Sequence, residues 1–342
     1  MRNRRVRRRP EGRRSQTNPM DRRQFLRASG CGLVMAATAG LPGCSTGGHT
    51  RGAPTGIIDT HTHFYMPGRP QGVPWPSPDD PVLHRAFLPP EFERLARPLG
   101  VSGTVVVESS PWIEDNDWLV NLAEDHPVIL GVVGNLPVGT PGFAGHLRRL
   151  SRRHAFKGIR IGTDAVSAAL AAGSAADDLQ RVADADLTVD LLLAPDRLKD
   201  AARLADRLPR LRLVVDHCAN VAVGSPPPEA WLAGLRDCKD QPNVFMKFSG
   251  LVEGTGRRGG LAPQDPAAYA PITRAVVSAF GPDRLLFGSN WPVSLLFASY
   301  ETVLDIAIRT LSTEAAGGRA AVFRDTAVRV YRLPSNRVTT GG

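Results

Sequence analysis

Ile57-Ile58-Asp59-Thr60-His61-Thr62-His63 is an apolar run that ends in two histidines one residue apart. Side chains on a β-strand alternate faces. His61 and His63 would therefore share a face at the strand's C-terminal end, with Asp59 beneath them. Two imidazoles so placed suit a metal ion or a substrate carbonyl. An isolated His-x-His is equally two unrelated polar residues where a strand meets a loop. The surrounding chain has to decide.

Outward from this stretch, apolar runs of strand length recur at 104–108, 129–136, 157–161, 188–193, 211–217, 244–250 and 285–290. With 56–61 they make eight, and their near-continuous apolar character fits strands buried on both faces. Helical spacing of apolar residues marks 90–99, 116–125, 143–153, 196–208, 228–238, 266–280 and 300–311. A last such segment, 320–331, is expected on the outside. The alternation predicts an α/β chain closed into a (β/α)₈ TIM barrel, a single domain over 56–334. A doubly wound open sheet would want a glycine-rich turn after the first strand. Histidines and then prolines stand there instead.

Active sites of such barrels form at the C-terminal strand ends. Here those ends carry His61 and His63, Glu108, Arg160, Asp216-His217, Lys247 with Ser249, and Ser289-Asn290. Polar groups thus converge on one rim after apolar strands. Two long loops share that rim. Residues 66–90 are proline-rich and carry Trp75, and 253–265 are glycine-rich and carry Arg257 and Arg258. Arg160, Lys247, Arg257 and Trp75 are the candidate substrate contacts, the arginine pair for an acid group on the substrate.

The net charge of +9 suggests a nucleic-acid binder until its position is read. Residues 1–27 hold eleven arginines against two acids; removing them from 42 basic and 33 acidic residues leaves 31 of each. The body is neutral, and nucleic-acid binding is not expected. Asp21-Arg22-Arg23-Gln24-Phe25-Leu26-Arg27 resembles a twin-arginine export signal. A short apolar stretch follows and ends in Leu41-Pro42-Gly43-Cys44, which resembles a lipobox. Residues 1–44 are therefore expected to address the chain to the twin-arginine export machinery, with Cys44 lipidated and the protein held on a membrane outside the cytoplasm. The residues before the motif are an extended leader, unless the chain starts at Met20. Residues 45–55 read as a flexible linker and 335–342 as a tail. Cys218 and Cys238 remain in the body. They fall near opposite ends of one predicted helix, which argues against pairing.

His61-Thr62-His63, Asp216-His217, Lys247-Phe248-Ser249-Gly250-Leu251 and Phe287-Gly288-Ser289-Asn290-Trp291-Pro292 together resemble the amidohydrolase superfamily. The closest branch is the amidohydrolase-2 group of sugar-lactonase and pyrone-dicarboxylate-lactonase-like proteins. Phe323-Arg324-Asp325-Thr326-Ala327 to Tyr331 fits its C-terminal helix. The resemblance covers roughly 56–333 and implies hydrolysis of a lactone or related carboxylic ester of a small, polar molecule. Two departures stand out. The family's strand-eight aspartate, a proton acceptor for the attacking water and a ligand in metal forms, is Asn290 here. Strand five ends Leu191-Leu192-Leu193-Ala194, without the histidine many members carry.

Ester hydrolysis needs an activated water, a stabilised oxyanion and a proton for the leaving oxygen. One divalent ion, zinc or manganese, on His61 and His63 with His217 would activate the water. In a metal-free alternative, His61, His63 and Arg160 polarise the carbonyl. A carboxamide has no titratable lone pair near neutral pH, so His217 or Glu108 would be the base and Asn290 would orient water or substrate. The rivals are a metal-dependent decarboxylase of the same superfamily and a non-catalytic binding lipoprotein that lost its base.

Overall fold

A computed structural model describes residues 56–334. The export signal, lipobox, linker and tail assignments lie outside the described residues. Eight parallel strands follow one another in sheet order: β1 Ile57–Thr62, β2 Val101–Val107, β3 Ile129–Gly134, β4 Phe156–Gly162, β5 Thr188–Leu192, β6 Arg212–Val215, β7 Val244–Phe248 and β8 Leu285–Phe287. β8 returns to β1 through a parallel bridge between Thr62 and Trp291. His63 N–H donates to Trp291 O at 2.8 Å, and Asn290 N–H to His61 O at 2.8 Å. The residues that close this TIM barrel are thus the ones that carry the rim histidines.

The helices are α1 Pro89–Ala96, α2 Glu114–Asp125, α3 Phe143–Leu150, α4 Thr163–Leu170, α5 Ser174–Asp184, α6 Lys199–Arg207, α7 Glu229–Lys239, α8 Leu251–Gly254, α9 Ala270–Phe280, α10 Tyr300–Glu314 and α11 Thr326–Val330. Each longer helix turns an apolar stripe to the strands: on α6, Ala201, Leu204 and Ala205 are buried while Arg203 faces out. Ser299 starts α10 by accepting the Thr302 N–H at 3.2 Å, a cap worth about 1 kcal/mol. Among the described residues, no helix is long and apolar enough to cross a membrane.

Three expectations change. α4 and α5 fill 163–184, where no helix was expected. The C-terminal segment does not pack on the outside. Ala327, Val330, Tyr331 and Leu333 join Ile58, Val105, Val133, Val214, Phe245 and Leu286 in the barrel interior. Arg212 at the start of β6 donates to Val330 O at 2.8 Å, and Lys157 near the start of β4 to Arg332 O at 3.2 Å, so the segment plugs the N-terminal end. Asp59 does not lie beneath the histidines. The β1–β2 register shifts after Asp59. Its carboxylate turns to α10, accepting from the Tyr300 hydroxyl at 3.1 Å and from the Ser289 and His61 N–H groups at 2.9 and 3.1 Å. Burial lifts its pKa to about 6. Cys218 and Cys238 are free thiols, both buried.

Candidate active site

The floor of the site is built where β6 ends. Four successive non-glycine residues, His217, Cys218, Ala219 and Asn220, have φ of 55°, 49°, 57° and 53°. A left-handed turn of L-residues costs about 1–2 kcal/mol per residue, so its surroundings must over-determine it. Trp231 Nε1 donates to Cys218 O at 2.8 Å, and Asn220 Nδ2 to Leu193 O at 2.9 Å. The turn brings the His217 ring to 4.2 Å from that of His61, with Nδ1 2.9 Å from Ser249 Oγ. Burial lowers the His217 pKa to about 4, so the ring is neutral.

His61 is completely buried. Its Nδ1 lies 3.1 Å from Lys247 Nζ and 3.3 Å from Asp216 Oδ1, while Nε2 has no hydrogen-bond partner among the described residues. Lys247 Nζ also donates to Asp190 Oδ2 at 2.5 Å and faces Asp216 Oδ1 at 3.1 Å. Below, the Tyr331 hydroxyl meets both Asp190 oxygens at 3.0 Å. Burial raises Asp190 to about 6, against the pull of Lys247. Burial would raise Asp216 as well, but Lys247 and His61 outweigh it and hold that carboxyl well below the ordinary range. Burial and then the Lys247 charge drive His61 far below a normal histidine.

Ligand atoms of His61, Asp216 and His217 all lie within 4.8 Å of one another. Two neutral imidazoles and a carboxylate are zinc's preferred donors. The buried acids Asp190 and Asp216 against the single cation Lys247 leave one negative charge over, and His61 Nε2 is orphaned. The residues present therefore fit a divalent cation. Asp216 stands with the two histidines in this group. His63 Nδ1 points at the carbonyls of Val107 and Glu108, at 3.0 and 3.1 Å. Carbonyls only accept, so Nδ1 carries the proton and Nε2 is a bare lone pair. Burial and then Arg160 lower its pKa to about 3, so His63 has no proton to give a carbonyl there.

Above this floor opens a cavity of about 680 Å³. His63, Glu108, Arg160, His217 and Asn290 line it, with Trp75 on the proline-rich loop. A lobe of about 280 Å³ adjoins it and shares Glu108, Asn135, Arg160 and Leu192. Arg160 and Glu108 spend their charges on each other: Nε meets Oε1 at 2.8 Å, and a terminal nitrogen meets the Glu108 carbonyl at 3.0 Å. Burial lowers the Arg160 pKa, but Glu108, Asp216 and Asp190 together outweigh it and hold the guanidinium's pKa up.

Two expected substrate contacts are corrected. Lys247 is wholly buried under the site, locked between two aspartates, and does not line the cavity. Arg257 is exposed on its loop, and its neighbour Arg258 lines the cavity instead. The sequence reading missed two acids. Asp190 interrupts an otherwise apolar strand, a signal available in the sequence because a buried charge needs a partner. Glu253 lines the cavity and accepts from Asn290 Nδ2 at 2.9 Å. Nothing in its local sequence marked it.

Residues 58–333 match the family model described as "Amidohydrolase". The chain belongs to the amidohydrolase family. It is a hydrolase, and its similarity is to lactonases. An L-fucono-1,5-lactonase of Burkholderia ambifaria is 34% identical over 289 residues, 81% of this chain and 95% of that protein. A second L-fucono-1,5-lactonase, from Burkholderia multivorans, is 31% identical and covers 81% of this chain and 96% of its own. An amidohydrolase of Burkholderia multivorans, solved with bound zinc, superposes with a TM-score of 0.74 at 30% identity, covering 81% of this chain and 99% of its own.

Proposed function

We propose that this protein hydrolyses the lactone of a small, polar acid, with sugar lactones as the first class to try. The carrying observation is the buried cluster of His61, Asp216 and His217, which meets a cavity of mixed polar and apolar lining through His217, in a chain similar to L-fucono-1,5-lactonases. Their substrate class suits this cavity, whose walls offer both donors and acceptors to hydroxyl groups.

His61, Asp216 and His217 would hold a zinc or manganese ion, whose chemistry there is Lewis-acid polarisation of the acyl group. Ligation through His61 Nε2 would put the ring proton on Nδ1, toward Asp216, in place of the bond that Nδ1 accepts from Lys247 Nζ. Ser249 fixes the orientation of His217. Arg160, clamped by Glu108, presents a fixed positive edge to the substrate's oxygens. Trp75, Leu83 and Phe297 cover the cavity with apolar surface and lower the dielectric around those charges.

We also propose that the protein works outside the cytoplasm on a lipid anchor at Cys44, on the strength of its twin-arginine and lipobox patterns. Cys44→Ser should release it from membranes; unchanged fractionation would refute the anchor. Hydrolysis is tested by proton release from L-fucono-1,5-lactone and a panel of sugar and aromatic lactones, using protein as purified and protein loaded with zinc or manganese. A rate at background for every lactone in both states would end the proposal. Full activity with no metal by elemental analysis would remove only the metal.

A further inference from the structure

The strand-eight position that holds an amide is not without an acid. Asn290 sits at the end of β8 with φ 58°, a left-handed conformation that asparagine tolerates, and its Nδ2 donates to Glu253 Oε1 at 2.9 Å. Both residues line the cavity. The other carboxyl oxygen, Oε2, is buried with no hydrogen-bond partner among the described residues. No ion pair holds Glu253 among those residues, in contrast to Glu108.

Its position is fixed by the backbone. Glu253 lies on α8, one turn that leaves β7 through Gly250 at φ 71°. A Cβ on Gly250 would fall 2.5 Å from the Cβ of His217, so only glycine lets this turn lie against the histidine. At its far end Gly254 O accepts the Val223 N–H at 2.8 Å. The turn bearing Glu253 is thus wedged against the left-handed turn bearing His217.

We infer that Glu253 is the proton-transfer group of this active site, supplying from the β7 turn the carboxyl that β8 lacks, with Asn290 as the hydrogen-bond donor that holds it in place. The inference rests on the lactone-hydrolysis reading. Burial, opposed first by the residue's own backbone N–H and then by the Asn290 bond, brings the carboxyl to about 7, where one group serves as base and then as acid. As the water oxygen bonds to the acyl carbon, the Glu253 carboxylate takes a proton from that water. As the acyl–oxygen bond of the ring breaks, the same carboxyl returns the proton to the leaving ring oxygen. Water is divided between a carboxylic acid and a hydroxyl, and Glu253 ends as it began.

The test compares wild type, Glu253→Gln and the exchange Glu253→Gln/Asn290→Asp in lactone hydrolysis across pH 5 to 9, with circular dichroism confirming the fold. Glutamine keeps the size and the acceptor for Asn290, so the single variant should keep KM. Its kcat should fall about a hundredfold or more, the usual effect of losing a general base. The wild-type inflection near pH 7 should vanish with it. The exchange, which returns a carboxyl across the same hydrogen bond, should recover at least about tenfold of that loss. Wild-type kcat in Glu253→Gln, or a reduced kcat that keeps the inflection, would overturn the inference while leaving lactone hydrolysis standing. A wild type that hydrolyses no lactone would instead remove the reading beneath it, and the inference with it.

Discussion

The axial acids Asp190 and Asp216 and the rim acid Glu253 are treated in opposite ways in this barrel. Along the axis, Asp190 and Asp216 share the Lys247 ammonium, and Tyr331 and His61 fill the remaining contacts. At the rim, Glu253 has the Asn290 amide and its own backbone N–H as neutral donors, and its Oε2 has no hydrogen-bond partner among the described residues. The axial group is held by charge and stays in one ionisation state at Asp216; the rim acid is held by a neutral donor and sits where its proton is mobile. The choice of partner, cation or amide, separates an acid held ionised from one whose proton is mobile.

The severest way to break this comparison is Lys247→Met. It leaves two buried carboxylates without a cation, and removing one partner of a buried pair costs about 3–5 kcal/mol. Urea unfolding at pH 7 should show a loss of that size. A loss under about 1 kcal/mol, the median for a surface pair, would mean the axis holds nothing together.

The left-handed turn from His217 to Asn220 joins the two regions. Ala219 lies at its centre, wholly buried at φ 57°. Ala219→Val puts a β-branched side chain where even alanine is strained, and should cost about 3 kcal/mol from backbone and overpacking together. Ala219→Gly should be close to neutral, because relief of about 1–2 kcal/mol of strain offsets the lost buried methyl. Equal losses from both would show that packing alone, not the turn, sets the cost.

A smaller effect separates the rim acid by pH. Glu253 folds into a site that lifts its pKa from 4.5 to about 7. Its protonated form is favoured on folding, so its contribution is fully present below pH 4.5 and is lost as pH rises through 7. Glu253→Gln removes that dependence. The variant should gain on wild type by at most about 1.4 kcal/mol per pH unit across that window, less where solvent screens the carboxyl. Melting temperatures that track each other from pH 4 to 8 would contradict the assignment.

The strands were legible because a buried parallel strand writes itself as an apolar run, and the rim followed from where those runs ended. His217, Asn290, Glu108 and Arg160 could be placed that way. α5 was missed although Leu179 and Val182 mark its face, because the alanine-rich stretch before it has few large apolar residues to set a phase. The end of the barrel chosen by 320–331 could not be read either. Periodicity gives a helix a buried face but names no partner for it. Lys247 looked like a rim residue by position, and only Asp190, across the barrel, shows that its ammonium points down. Glu253 belongs to the same class: its meaning lies in Asn290, 37 residues away in sequence.

The mildest test sharpens the axis itself. Tyr331 reaches from the C-terminal plug to Asp190, and its hydroxyl is the link between the barrel's closed end and the charges beneath the site. Tyr331→Phe removes one hydrogen bond to a charged acceptor and keeps the ring, so about 1.5–3 kcal/mol is the upper range expected. Part of that is recovered, because Asp190, already raised to about 6, answers the loss by holding its proton more tightly. The net cost should therefore be near 1 kcal/mol at pH 7 and shrink toward pH 5, where Asp190 is protonated in both proteins. A cost that is the same at both pH values would mean the hydroxyl is serving the packing of the plug, and that the axis ends at Asp190.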